Sequence, residues 1–445
     1  MHHSCFTQVY CMVPYYSSIQ YRYQVFRFLC VIFLQLLYFT RLNVISHLHP
    51  RVNVRISSFF SANSQSSSIN DDDDEPNAEH PLINAPPSNK AFPCSVRMVA
   101  ISSKSINPRP PLWKVWLIAS RPHTLTAAIA PCIAGACITY HHSKQIPTGI
   151  ICLWTLFCIL VQLGTNLHND YADFVKGADT EARVGQSRAT QKGWLTPDQT
   201  AAGATTMLTG NLVIGVYFLQ QLSVHNHGQV DMFFLFIVLS SIFNAFAYTG
   251  GPYPLGYIGL GNFSLGYSGL GDIFVFLYFG IVATAAIPYL HYRMVENPGK
   301  SINNCLSYLF LNKEKPTLSL VCVEVGLMAT NILVVNNLRD RHTDKHAGKK
   351  TLAVRFGGTF CRLQYTLQAL ASYVLVFLDF TLDHQKTGKE NYVRLLPLLS
   401  LPLVRREIFE VWRTDGADLN SHVGKTAMLE FLFCILLGAA LVKSS

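Results

Sequence analysis

The 445-residue chain has few charged residues: only 14% are Asp, Glu, Lys or Arg, while 50% are hydrophobic. A soluble protein of this length needs more surface charge, so the composition argues against a soluble enzyme. The twelve cysteines include no C-x-x-C pair, which argues against a disulfide framework or a cysteine zinc site. The sixteen histidines include no H-E-x-x-H motif, so a histidine metal site is not expected either.

The sequence contains several long apolar runs. Several approach the roughly 20 residues that a helix needs to cross a bilayer, so the sequence predicts an all-α polytopic membrane protein. We expect nine transmembrane helices around a central cavity, at residues 113–140, 146–168, 200–220, 231–249, 272–293, 317–338, 361–382, 392–404 and 426–443. The net charge of +9 lies mainly in loops, and such positive loops tend to stay on the cytoplasmic or equivalent side.

The N-terminal region differs from the rest of the chain. We predict a presequence and disordered linker over 1–111 and a membrane domain over 112–443. The segment before Asp71 contains an apolar stretch between Arg27 and Arg41 but no acid, a composition typical of a targeting sequence. The alternative is that translation starts at Met98.

Two acidic patches stand where a long apolar run meets a basic loop. Each combines one Asn with two Asp: Asn166, Asp170 and Asp173 in the first patch, and Asn336, Asp340 and Asp344 in the second. Residues four apart share one face of a helix, so each Asn points the same way as the Asp that follows it. Mg2+ is usually held by one or two carboxylates together with substrate phosphates. We therefore expect two Mg2+ ions and a lipid diphosphate at these patches.

The order of the spans brings the patches together. Four predicted crossings separate them, and an even number of crossings returns the chain to the same side of the membrane. Both patches can therefore face one cavity. The recurrence of Asn-x-x-x-Asp also predicts two pseudo-repeated four-helix halves with the site at their interface, and the ninth helix would be an addition.

The patches and their basic loops supply the candidate site residues. Basic side chains there could neutralise diphosphate oxygens, and tyrosine rings could stabilise an allylic cation. The predicted catalytic residues are Asp170, Asp173, Asp340 and Asp344. The predicted metal ligands are Asn166, Asp170, Asp173, Asp179, Asn336, Asp340 and Asp344. The predicted substrate-binding residues are Asn166, Asn169, Tyr171, Lys176, Arg183, Arg188, Lys192, Tyr248, Asn336, Arg339 and Lys349. The alternative is a solvated loop whose acids and bases pair at the surface.

Five ordered motifs resemble those of the UbiA superfamily of intramembrane aromatic prenyltransferases, and within it the 1,4-dihydroxy-2-naphthoate prenyltransferases of menaquinone and phylloquinone biosynthesis. They are Arg121-Pro122-His123-Thr124, the run from Asn166 to Asp179, Gln191-Lys192-Gly193, the run from Tyr248 to Pro254, and the run from Asn336 to Asp344 with Gly348-Lys349. The resemblance implies nine helices around a cavity, Mg2+ bridged to diphosphate by two Asp-rich motifs, and an opening to lipid for the prenyl tail. The chain departs from the family pattern where 255–261 is nearly repeated at 265–271.

The implied reaction transfers a prenyl or phytyl chain from its diphosphate to 1,4-dihydroxy-2-naphthoate with loss of the carboxylate, giving demethylmenaquinol or demethylphylloquinol. Membrane lipid is the other expected partner; no nucleic acid and no obligate protein partner are indicated. Homogentisate, 4-hydroxybenzoate and chlorophyllide are alternative acceptors. A secondary transporter would also carry repeats and polar groups, but acids and bases clustered at one face favour the enzyme. A presequence joined to a bacterial-type quinone enzyme indicates a plastid membrane.

Overall fold

The computed structural model describes residues 109–175, 184–186, 188–247, 270–311, 317–388 and 390–444. All regular structure in these ranges is helical, as the sequence predicts. Four of the predicted site residues lie outside the described residues: Lys176, Asp179, Arg183 and Tyr248. The predicted presequence up to 108 and most of the near-repeat at 255–271 lie outside them too.

Eleven helices follow one another in these ranges. They are α1 (Leu112–Ser120), α2 (Pro122–Ser143), α3 (Thr148–Val175), α4 (Pro197–His225), α5 (Met232–Ala247), α6 (Leu270–Glu296), α7 (Ile302–Leu306), α8 (Thr317–His346), α9 (Leu352–Thr387), α10 (Leu401–Arg413) and α11 (Asn420–Lys443). Two 3-10 segments, Tyr392–Ser400 and Gly416–Leu419, precede α10 and α11. Part of α6, Phe276–Ala283, is a π-helix.

Seven helical segments of the described chain are long and apolar enough to cross a membrane. They are α2, α3, α4, α6, α8, α9 and the segment Gly416–Lys443, and they match seven of the nine predicted spans. The predicted span at 231–249 is the shorter apolar helix α5, and the one at 392–404 is a 3-10 segment that runs into α10, where Arg405 and Arg406 are exposed. The count of nine and the two four-helix halves stay predictions.

Local sequence explains where several helices begin. Arg121 adopts a left-handed backbone conformation with φ of 51°, which ends α1, and Pro122 then starts α2 at a position that proline favours. A capping box starts α4, because Thr196 and Gln199 each accept the other's backbone N–H. In α9 the chain is kinked at Gly357, where φ is 80°.

Close helix contacts depend on glycine. A Cβ added at Gly135 of α2 would lie 2.3 Å from the carbonyl oxygen of Thr284 in α6, and one at Gly280 would lie 2.5 Å from Cα of Gly326 in α8. These contacts hold α6 against both α2 and α8. Helix α8 is the centre of the bundle, with 72% of its apolar window buried, compared with 33–56% for the other spans.

Helices α3 and α8 both end on the side where α2 and α11 begin, because Arg121 contacts Asp170 and Asn420 contacts Arg339. The two acidic patches occupy the C-terminal ends of α3 and α8. The C-terminal ends of these two helices therefore lie at the same end of the bundle, in agreement with the predicted even number of crossings.

Candidate functional site

Residues of both acidic patches line a single cavity of about 330 Å3. Side chains from α2, α3, α5, α6, α8 and α11 line it, together with residues of the loops that follow α3 and α8. One end is polar and holds the acids with their basic partners. Phe157 of α3 and Phe274 and Phe279 of α6 add an apolar, aromatic surface to the cavity wall.

The first patch is fully buried and paired with arginine. Asp170 and Asp173 are 1% and 0% exposed. Arg121 contacts Asp170 Oδ1, while Arg188 places Nη2 at 2.8 Å from Asp173 Oδ2 and Nε at 3.5 Å from Asp170 Oδ1. Arg188 also donates to the carbonyl of Asn169 over 2.7 Å. The strained backbone of Arg121 thus brings a guanidinium onto a buried carboxylate, a kind of strain that is common at functional sites.

The second patch is organised by one arginine. The guanidinium of Arg339 donates to both oxygens of Asp340, over 2.8 Å and 2.5 Å, and to Oδ1 of Asn336 over 2.8 Å. It therefore fixes two of the three residues of α8 that are predicted as metal ligands. Such bidentate contacts are stronger and more specific in geometry than single ones.

Lys349 joins the two patches. Its ammonium lies 3.4 Å from Asp173 Oδ2 of the first patch and 3.5 Å from Asp344 Oδ1 of the second. One cation therefore reaches carboxylates of both α3 and α8. The prediction that the two patches meet over one cavity is confirmed.

The other predicted residues lie at different distances from the cavity. Asn166 and Asn169 line it, and the Asn166 amide group also donates to Ser120 O and Thr124 Oγ1 over 3.0 Å and 2.9 Å. Tyr171 is buried, with its ring 6.1 Å from that of His168, and Lys192 is exposed. Neither Tyr171 nor Lys192 is among the residues that line this cavity.

The donor set fits a metal that arrives with its substrate. Among the described residues no group of three or more His, Cys, Asp or Glu converges on one point, so this part of the chain alone does not form a complete metal cage. Each patch instead offers two carboxylates beside an asparagine oxygen. Asp170 Oδ2 is buried and accepts no hydrogen bond from the described residues. Two carboxylates with phosphate and water oxygens are the usual surroundings of Mg2+.

Several cavity residues were missing from the sequence-based list. Tyr278 and Phe279 of α6 lie in the wall, so the aromatic surface comes from this helix and from Phe157 instead of Tyr171. Neutral polar groups also face the cavity, namely Gln162 and Asn244. The spacing of Phe274 and Tyr278, four residues apart just after Asp272, was a signal that could have identified this face.

Comparison with known proteins agrees with these motifs. A profile of the UbiA prenyltransferase family matches residues 128–419. The 1,4-dihydroxy-2-naphthoate octaprenyltransferase of Haemophilus influenzae is 30% identical over 77% of this chain and 99% of its own length. The enzyme of the same name from Escherichia coli is 32% identical over 60% of this chain and 76% of its own.

Animal proteins also match. The UbiA prenyltransferase domain-containing protein 1 homolog of Drosophila melanogaster is 26% identical over 73% of this chain and 78% of its own length. A solved structure of a UbiA homolog from Archaeoglobus fulgidus is a weaker match, with 12% identity and a TM-score of 0.46 over 74% of this chain and 99% of that one. The family profile and the Haemophilus relative each span most of the membrane domain, so the chain is an integral membrane prenyltransferase that belongs to the UbiA family.

Proposed function

We propose that this protein transfers a polyprenyl or phytyl group from its diphosphate to 1,4-dihydroxy-2-naphthoate, with loss of the carboxylate, in a reaction that requires Mg2+. The observation that carries the proposal is the Lys349 bridge, which brings carboxylates of both patches to one point beside an apolar, aromatic chamber. A prenyl diphosphate has the same two parts, a strongly charged head and an apolar tail.

Charge balance supports the need for a metal. The four patch carboxylates are matched by four cations that contact them: Arg121, Arg188, Arg339 and Lys349. A prenyl diphosphate would add roughly three negative charges to this neutral set. Bound Mg2+, held by Asp170 and Asp173 on one side and Asn336, Asp340 and Asp344 on the other, would supply positive charge to the leaving diphosphate. The number of ions is proposed to be two.

The basic residues have complementary roles in this proposal. Lys349 lies between the patches and Arg188 lies against the first, so both could shift from carboxylate to diphosphate oxygens when the substrate enters. The aromatic wall made by Phe157, Tyr278 and Phe279 would then surround the allylic carbons. Aromatic faces attract positive charge, and an apolar wall keeps out the water that would capture a cation.

The aromatic acceptor is placed against the neutral polar groups of the cavity. Gln162 lies four residues before Asn166 on α3, so it points to the same face one turn deeper. Asn244 of α5 and Tyr278 of α6 also line the cavity. Gln162 donates to Asn166 Oδ1 over 3.4 Å, and Tyr278 is hydrogen-bonded to Ser240 and Asn244, so these residues form a polar surface that could exchange those contacts for the hydrogen-bonding groups of a ligand. A prenyl tail offers none, whereas a dihydroxynaphthoate ring offers two hydroxyls and a carboxylate.

The choice of naphthoate over other phenols is supported by the names of the bacterial relatives, both 1,4-dihydroxy-2-naphthoate octaprenyltransferases. The animal relatives do not name an acceptor. We also propose that residues 1–97 direct the protein to a plastid membrane. Fusion of 1–97 to a fluorescent protein would test that address separately from the chemistry.

The reaction is tested with naphthoate that carries 13C in its carboxyl group. Membranes containing residues 98–445, Mg2+ and geranylgeranyl or phytyl diphosphate should release one labelled CO2 for each prenylated ring. 4-Hydroxybenzoate and homogentisate serve as parallel acceptors. Prenylation of 4-hydroxybenzoate or homogentisate but not of naphthoate would contradict naphthoate as the acceptor. Prenylation of naphthoate without CO2 release would contradict the proposed chemistry.

A further inference from the structure

We infer that Asn420 is a positioning residue that links the loop after the first acidic patch to the arginine that organises the second. The inference rests on the proposed function for its kinetic consequence, though not for its structural one. Asn420 is the first residue of α11 and lies one residue beyond the part of the chain that the family profile matches.

One side of Asn420 holds the second patch. Its Oδ1 accepts a hydrogen bond of 3.0 Å from Nη1 of Arg339. The other nitrogens of Arg339 bind Asp340 and Asn336. Asn420 therefore occupies the remaining terminal nitrogen of this arginine, and it restricts rotation of a side chain that orients two predicted metal ligands.

The other side of Asn420 holds the loop that follows the first patch. Its Nδ2 donates a hydrogen bond of 2.8 Å to the carbonyl oxygen of Val184. Val184 is two residues before Gln186 and four before Arg188, which both line the cavity. Arg188 contacts both acids of the first patch. A single amide group thus connects the surroundings of α3 with those of α8.

The position of Asn420 is itself fixed by ion pairs. The residues just before it are held to α8 and α9, because Asp415 pairs with Arg341 and the Arg362 guanidinium donates to Thr414 O over 2.8 Å. The Arg341 guanidinium lowers the pKa of Asp415 to about 2, so this pair stays ionised at physiological pH. The amide group of Asn420 is therefore presented from an anchored segment.

A role as an ordinary helix cap does not account for these contacts. Helix α11 has no side-chain cap hydrogen bond, and its N-cap residue is Leu419. Both polar atoms of Asn420 reach other elements instead. Asn420 therefore makes the position of Val184 and the orientation of the Arg339 guanidinium depend on each other.

Two substitutions separate the two contacts. Asn420→Ala removes both, whereas Asn420→Asp keeps an oxygen for Arg339 and loses the donor to Val184. Ser421→Ala is the matched control, because Ser421 is the next residue and is exposed. Its hydroxyl donates a local hydrogen bond of 3.4 Å to Asp418 O. All three are compared with the full-length protein in detergent or nanodiscs.

The structural measurement is hydrogen exchange without any substrate. The backbone amides of Lys192, Gly193 and Trp194 donate turn hydrogen bonds of 2.9–3.0 Å to the carbonyl oxygens of Arg188, Thr190 and Ala189, respectively. We expect both Asn420 variants to exchange these amides about tenfold faster, and Ser421→Ala to match the wild type. Unchanged exchange in both Asn420 variants would overturn the inference, whatever reaction the protein catalyses.

The kinetic measurement separates positioning from a loss of folded protein. Asn420→Ala should raise KM for prenyl diphosphate about tenfold and leave KM for the aromatic acceptor unchanged. A structural role would reduce the amount of folded enzyme, and thus the rate, without this difference between the two KM values. That result would overturn the inference, whereas a wild type that transfers to no acceptor would overturn the proposed function alone.

Discussion

Each acid of the first patch is held by a base that comes from another part of the sequence. Asp170 is contacted from α2 by Arg121, and Asp173 from the loops by Arg188 and Lys349. A buried carboxylate without such a partner is costly. The pairing therefore offsets the cost of burying these carboxylates and leaves them able to exchange a protein cation for a metal.

Removal of one acid from each patch tests this arrangement. Asp170→Ala or Asp340→Ala should reduce prenyl transfer by at least about a hundredfold, because each removes a proposed metal ligand. The helices should remain, as judged by circular dichroism and by the yield of folded protein. Asp198→Ala and Asp418→Ala are matched controls, since both acids are exposed. Full activity in both patch variants would contradict the proposed metal site.

Substitution of a neutral cavity residue tests where the acceptor lies. Asn244→Leu keeps the approximate size of the side chain but removes its hydrogen bonds. We expect KM for the aromatic acceptor to rise about tenfold, with KM for prenyl diphosphate unchanged. Steady-state rates with each substrate varied in turn would measure this. A rise only in the KM for prenyl diphosphate would place the acceptor elsewhere in the cavity.

Much of the polar site could be predicted from the sequence, because Asn-x-x-x-Asp spacing at the end of an apolar run already defines a helix face. The partners of the acids were harder to predict. Arg121 is identified in the sequence only as part of a motif, since nothing in the spacing shows that its left-handed backbone turns it toward Asp170. Asn420 was missed entirely, because its role depends on a contact between residues 81 positions apart.

At the level of helices, apolar length predicted the spans well and their ends less well. The predicted span 113–140 is two helices, broken at Arg121 by a left-handed residue and restarted by Pro122. The span predicted from 361 begins at Leu352, because the polar first turns of α9 continue the helix across the kink at Gly357. Charged residues and glycine limit the apolar stretch that can be recognised in the sequence. Capping and tertiary packing decide where the helix itself starts.

Close packing between α2 and α6 gives a prediction for a helix contact. Gly135→Ala would place a methyl group 2.3 Å from the Thr284 carbonyl oxygen, so the helices must separate. Overpacking of this kind costs about 1–3 kcal/mol, and we expect a lower melting temperature in a detergent thermal-shift assay. Gly149→Ala in α3 has open space around it and is the control. Equal melting of both variants would contradict the contact.

For the molecule as a whole, membrane crossings bring together residues that are far apart in sequence. The patches are separated by 170 residues in sequence, yet Lys349 contacts both. The family assignment agrees with this arrangement, because the profile match spans both patches. The sequence predicted their meeting from the parity of the crossings alone. It could not predict the shape of the cavity, which depends on the π-helical stretch of α6 and on glycine contacts.

The central claim is that one diphosphate contacts both patches at once. The direct test is binding of geranylgeranyl thiodiphosphate, which resists ionisation, to purified wild type, Asp173→Ala, Asp344→Ala and the double variant, with and without Mg2+. The account predicts Mg2+-dependent binding, a loss of about tenfold or more in each single variant, and a double variant that loses clearly less than the sum of the two free-energy changes. Additive losses of binding free energy in the double variant, or a single variant that binds as tightly as the wild type, would contradict the account.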